Sequence, residues 1–250
     1  MNFPDSNWLN QRRHRLFAKR CTAHLCDRRR RDHLQSTILQ IIKRREDAGL
    51  SVRLDPRFPV QVNEQDLDDG RIEVILDRLN GILYLDENVF EPGLERKLML
   101  SHQLSKRHFQ WKSLPARAPV SIRFIDARIG FGVFAERDLA ERELIGEYTG
   151  MVLSETAGED FSYLHAYPSL KWGEEELLLA VDALTMGNET RFINHSDSGG
   201  VSHMEDYFFN GHWHILYKVG SQVANGEQLF LNYGGGYWKA QPAYPLSLSP

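Results

Sequence analysis

The sequence predicts a mostly β body preceded by an α-helical N-terminal extension. Three observations predict it. Leu34, Ile38, Ile41 and Ile42 recur at helical spacing, set among arginines and lysines. Pro115 and Pro119 then interrupt the chain. Beyond them the texture changes to short alternating runs separated by glycine-containing turns, the pattern of small paired strands.

Taken in order, residues 7–47 read as helix, broken once, with Gly49 as the stop signal. Residues 51–63 contain Pro56 and Pro59 and are expected to be extended or irregular. A second helical zone covers 70–110, interrupted around Glu91-Pro92-Gly93, with Leu94, Leu98 and Leu104 as its buried stripe. After Pro119 the strand candidates are VSIRFID (120–126), FGVFAE (131–136), LIGEYTG (144–150), LLLAVDA (177–183), HILYKV (214–219) and EQLFLNY (227–233). Asn225-Gly226 between the last two predicts a hairpin. The expected organisation is a helical region over 1–117, the β body over 118–238 and a tail over 239–250.

The chain has 250 residues, 42% of them hydrophobic, which fits a folded protein with a substantial core. No apolar run approaches the length of a membrane span, so no membrane association is expected. The N-terminal stretch lacks the apolar segment of a secretory signal. Two cysteines, Cys21 and Cys26, exclude a disulfide framework and a multi-cysteine zinc cluster, and suit a reducing compartment such as the cytoplasm. The net charge of −4 is unevenly spread. Residues 1–47 hold 12 basic and 5 acidic side chains, a balance of +7, and the rest hold 18 against 29, a balance of −11. The basic arm is either a solvated helix face or a contact for polyanions. The acidic body would attract a lysine-rich partner.

Three short segments stand out. In IGFGVF (129–134), Gly130 and Gly132 flank Phe131, which either makes an ordinary tight turn or lets backbone approach a ligand. No third glycine follows, so this is not a dinucleotide fingerprint. In RFINHS (191–196), Asn194 and His195 follow an apolar pair that would bury them, and buried polar groups need partners. In LNYG (231–234), Tyr233 closes a buried strand, either as packing or as a hydroxyl pointed into a cavity. His195, His203, His212 and His214 raise the question of a metal. No HExxH, CxxC or carboxylate triplet supports one, and no metal is expected. There is no GxSxG elbow, and the glycines at 234–236 lack the Lys-Ser/Thr of a phosphate loop.

The succession IGFGVFAERDLAERELIGEYTG, FSYLHAY, VDALTMGNETRFINHS and NGEQLFLNYG resembles the SET-domain lysine methyltransferases, over residues 120–240. The resemblance implies small curved β-sheets around a knot-like crossing, with S-adenosylmethionine entering from one face and a substrate lysine from the other. It implies that Tyr233 is the active-site tyrosine and that Tyr148 is a second tyrosine of the lysine channel. It implies cofactor contacts from the Gly130-Phe131-Gly132 turn, Tyr163, Arg191, Phe192, Asn194 and His195, and from Trp238 against adenine. It further implies a lysine-rich protein substrate, a histone or a bacterial histone-like protein. The alternatives are a SET-fold module that binds a basic partner without catalysis, or a protein that meets nucleic acid through the basic helix.

The sequence departs from the family's usual pattern in four places. Asp197-Ser198-Gly199-Gly200 follows NHS, where Cys-x-Pro-Asn is common. Zinc-binding cysteine clusters are missing, as in bacterial members, so the tail with Tyr237, Trp238 and Tyr244 is the candidate to close the site. Asn232 replaces an acidic residue. Leu231 stands where Phe or Tyr usually limits the number of methyl groups added, which predicts di- or trimethyl product. The bacterial likeness makes cytoplasmic residence the expectation, with export into a host cell and its nucleus as the other route. The apolar stripe of the N-terminal helices is expected to need a covering surface, by homodimerisation or by substrate docking.

Overall fold

The computed structural model describes residues 6–23, 25–104, 113–154, 162–197, 202–209, 211–235 and 237. Helix α1 covers Ser6–Cys21 and α2 covers Arg28–Asp47. The predicted single break falls where Asp27 begins α2, its carboxylate accepting from Arg29 N and Arg30 N. Gly49 ends α2 with φ +80°. Its N–H donates to Glu46 O and that of Leu50 to Arg45 O, the two bonds of a Schellman cap.

Strand β1 (Val60–Gln61) and helices α3 (Glu64–Asp68) and α4 (Arg71–Leu79) follow. The expected second helical zone is divided further than the sequence suggested. An Asn80-Gly81 turn, with Gly81 at φ +79°, ends α4. Strands β2 (Leu83–Tyr84) and β3 (Val89–Phe90) intervene before α5 (Leu94–Leu104).

The β body then runs β4 (Val120–Asp126), β5 (Gly130–Ala135), β6 (Leu144–Glu147), β7 (Met151–Leu153), β8 (Leu164–Trp172), β9 (Glu175–Asp182) and β10 (Met186–Gly187). A 3-10 turn at Glu189–Phe192 leads into β11 (Asn194–His195), and β12 (Ser202–Phe209), β13 (His212–Val219) and β14 (Gln228–Leu231) complete it. These strands form four small sheets, in the orders β1-β4-β5-β14-β11, β12-β13-β6, β3-β7-β9-β8 and β10-β2.

The hairpin expected at Asn225-Gly226 does not form between β13 and β14. The turn itself is present, with Gly226 at φ +83° and Glu227 N donating to Ala224 O at 3.1 Å. However, buried Val223 bridges to Leu139, and Gly226 N donates to Ala135 O. These contacts steer β14 away from β13 and onto β5 and β11. Within the β body, β7, β8, β10, β11 and β12 lacked a clear sequence signal. The longest, β8, carries Pro168 at a register shift on a sheet edge, where a missing N–H is tolerated.

The N-terminal region is joined to the β body through backbone. Strands β1, β2 and β3 pair in parallel with β4, β10 and β7. One apolar cluster runs from Phe17 and Ile38 through Phe58 and Ile75 to Ile122, Phe131, Phe192 and Leu229. Leu34, Ile38 and Ile42 are buried within the chain, so that stripe requires no second molecule. In the Arg28–Arg31 run, Arg30 is engaged by Glu64 at 2.6 Å. No helix among the described residues is long and apolar enough to cross a membrane.

Candidate functional site

The site forms where β11 lies beside β14. Asn194 pairs with Phe230 and His195 with Leu231, in parallel, and Ser196 N donates to Leu231 O at 3.2 Å. This pairing carries RFINHS past the strand that leads into Tyr233. Three further bonds tie the segments together. Tyr233 N donates to His195 Nδ1 at 3.1 Å, the Tyr233 hydroxyl donates to Ile193 O at 2.5 Å, and Asn194 Nδ2 donates to Phe131 O at 2.9 Å. The amide and imidazole therefore have defined partners, as buried polar groups require.

Two cavities meet here. The larger, about 760 Å³, is lined by Phe131, Tyr163, Phe192, Asn194 and His195. The smaller, about 440 Å³, is lined by Tyr148, His165, Tyr217 and Leu231. Arg191, Tyr233, Tyr237 and Ser162 line both. The Gly130-Phe131-Gly132 segment, which is the start of β5 rather than a turn, supports the larger cavity through Phe131. Gly130 has φ +85°, and a Cβ at Gly132 would lie 2.6 Å from Gln228 Nε2 and 2.8 Å from Ile125 Cδ1. Phe131 and Phe192 meet edge to face with centroids 5.3 Å apart. Trp238, Tyr244 and the tail over 239–250 lie outside the described residues.

Arg191 is buried on the 3-10 turn. Its Nε donates to Ala183 O at 2.7 Å and its Nη2 to Leu184 O at 3.0 Å. The guanidinium sits over the Tyr163 ring at 4.0 Å, and Nη1 has no hydrogen-bond partner among the described residues. Desolvation holds its pKa below the ordinary arginine value. The turn is anchored from the N-terminal region, because the Tyr84 hydroxyl donates to buried Glu189 Oε2 at 2.7 Å.

The smaller cavity is an aromatic channel. Tyr148 lies 5.7 Å from Tyr217 and 5.3 Å from His165, centroid to centroid, and its hydroxyl donates to Tyr163 O at 2.7 Å. Sequence reasoning missed Tyr217 and His165. Tyr217 sits in an alternating strand where it reads as ordinary packing, and His165 lies two residues past Tyr163 on a strand that was itself missed. Burial lowers the pKa of His165, which keeps the ring neutral at neutral pH. His212 and His214 have centroids 4.4 Å apart, but His214 is taken up by Glu147 at 3.0 Å. Among the described residues no group of three ligating side chains could hold a metal.

Burial also raises the pKa of Tyr84, Tyr148, Tyr167, Tyr217 and Tyr233 well above the ordinary phenol value. The sign of the linkage follows from that direction. A raised folded-state pKa contributes stability below the unfolded value, near 10, and that contribution is lost as pH rises further, because only the unfolded chain ionises. Urea unfolding should show a midpoint that falls steeply above about pH 10. The Tyr217→Phe variant should show a shallower fall, and an equal slope in both proteins would contradict the assignment.

Residues 130–234 match the SET domain family. Over 116 residues the chain is 32% identical to the histone-lysine N-methyltransferase EZH2 of Chaetomium thermophilum, covering 43% of this chain and 8% of that protein. It is 27% identical over 114 residues to the putative histone-lysine N-methyltransferase ASHH4 of Arabidopsis thaliana, covering 42% of this chain and 31% of that protein. The chain thus spans less than a third of the length of either curated relative. Among solved structures, ctPRC2 in an autoinhibited conformation bound to S-adenosylmethionine, from Chaetomium thermophilum, is similar at a TM-score of 0.39 and 28% identity. That similarity covers 48% of this chain and 15% of the other.

Proposed function

With residues 130–234 forming a SET domain, we propose that this chain is an S-adenosylmethionine-dependent protein lysine N-methyltransferase acting on lysine-rich basic proteins, histones or histone-like proteins. The observation that carries the reading is the pair of cavities that share Arg191 and Tyr233. One is a cleft bordered by Asn194 and His195, large enough for a nucleoside with an amino-acid arm. The other is a narrow aromatic channel suited to a long aliphatic stem with a nitrogen at its end.

S-adenosylmethionine supplies a methyl group bonded to a sulfonium. When the amine attacks, the C–N bond forms, the C–S bond breaks with its electron pair on sulfur, and the proton shed by the amine goes to solvent. Asn194, His195, Phe131 and Tyr163 would hold the donor in the larger cleft. The chain's own contribution to the chemical step is alignment and dryness. A lysine has a reference pKa of ~10.4, and an apolar channel beside a sulfonium disfavours its charged form. The Tyr233 hydroxyl commits its proton to Ile193 O, so its oxygen can accept from the amine N–H and orient the lone pair. Holding reactants this way contributes on the order of 7–11 kcal/mol.

Leu231 lines the channel where an aromatic residue would narrow it. The expected product is therefore di- or trimethyllysine. Leu231→Phe should shift the product distribution to monomethyl, read by intact-mass spectrometry at exhaustive turnover. A wild-type enzyme that stops at monomethyl would contradict this. The activity itself is tested by incubating the protein with isotope-labelled S-adenosylmethionine and a panel of lysine-rich proteins, with label expected on lysine side chains. No transfer to any of them, together with no donor binding by calorimetry, would overturn the proposal.

A further inference from the structure

The larger cleft is not built from the SET segment alone. Arg78 and Asn80, at the C-terminal end of α4, line it together with Arg128. Arg191 adds a third guanidinium, and among the described residues no Asp or Glu lines the cleft. Such a lining is unfavourable for a ligand that is cationic throughout. A sulfonium nucleoside with an amino-acid arm offers one anionic group, its carboxylate.

The position of Arg78 selects it as the partner for that group. Its Nη2 donates to Ala127 O, which pins the guanidinium against the 126–130 turn. A Cβ on Gly130 would lie 2.6 Å from Arg78 Nη1 and 3.3 Å from its Cζ. The absent side chain at Gly130 thus makes the space that the guanidinium occupies, beside the turn that borders the donor cleft. Arg78 forms no ion pair among the described residues, although Arg45 on the neighbouring α2 takes up both Glu73 and Asp77 of α4. Asn80 is held in place by its own bonds, with its side chain accepting from Arg53 N at 2.5 Å and donating to Ser51 O at 2.9 Å.

We propose that Arg78, supplied by the N-terminal helical region, binds the carboxylate of the methyl donor's amino-acid arm, with Arg128 as a second cation at the same end of the cleft. This inference rests on the donor being S-adenosylmethionine. It makes the N-terminal region part of the donor site. A planar guanidinium with paired N–H groups suits a carboxylate, and a charge-assisted contact of this kind is strong enough to select for it.

The test is calorimetry of the full chain with S-adenosylmethionine and with its decarboxylated analogue, which keeps the adenosine, sulfonium and amine. The wild-type protein should prefer the carboxylate-bearing donor. Arg78→Met should weaken that donor by about tenfold and leave the analogue's affinity unchanged, which also reports that the variant is folded. Arg78→Lys should recover part of the loss. Equal weakening of both ligands, or of neither, would overturn the role of Arg78. A wild-type protein that binds neither nucleoside would instead overturn the methyltransferase reading, and this inference with it.

Discussion

Tyr233→Phe is expected to lower turnover by roughly a hundredfold or more, the scale seen when one preorganised polar group is removed from a reacting centre. The ring would remain where it is. Its centroid lies 5.3 Å from that of His195, and its backbone N–H donates to His195 Nδ1. Neither contact uses the hydroxyl, so donor affinity should change little. What is lost is the oxygen at the junction of the two cavities and the donor to Ile193 O. Single-turnover rates with saturating S-adenosylmethionine, alongside calorimetry of donor binding, separate the two effects. Wild-type turnover in the variant would remove Tyr233 from the chemistry.

Gly150→Ala should have the largest effect on stability, on the order of 3 kcal/mol or more. Gly150 ends the Glu147-Tyr148-Thr149-Gly150 run, where β7 begins against β9. A Cβ there would lie 2.3 Å from Asp182 O and 2.7 Å from its carbonyl carbon, and backbone in a paired strand has no low-cost way to retreat. The same residue receives two contacts from the N-terminal region, since its N–H donates to Asn88 Oδ1 and its carbonyl accepts from Val89 N. Moving it would disturb β3 and β9 together and displace Tyr148 beside it. Urea unfolding should show a clear drop in midpoint, whereas an unchanged midpoint would mean that β9 can slide.

Much of this site was legible in the sequence. Phe131, Tyr163, Arg191, Phe192, Asn194, His195 and Tyr233 all border one cleft, and Tyr148 lines the adjoining channel. The motifs that named them are short and ordered along the chain. The unread parts share a physical cause. A two-residue strand such as β2 has no periodicity, so its parallel pairing with β10 leaves no local trace. The Asn225-Gly226 dipeptide specified a turn correctly, but which strands flank it was decided by the Leu139–Val223 bridge, a contact distant in sequence. Arg78 reads as an exposed residue near a helix end. Only the fold brings it to Gly130.

The parallel join of β11 to β14 also bears on how the molecule comes to exist. Asn194 and Phe230 are paired across a long stretch of chain that holds the β12–β13 hairpin. Contacts so distant in sequence are reached late, because loop closure must precede any gain from them. A nascent chain still inside the ribosome beyond β13 would therefore lack β14, leaving the five-stranded sheet incomplete and β11 without its strand partner, so the cleft bordered by Phe230 and Tyr233 forms only once the last strand has emerged.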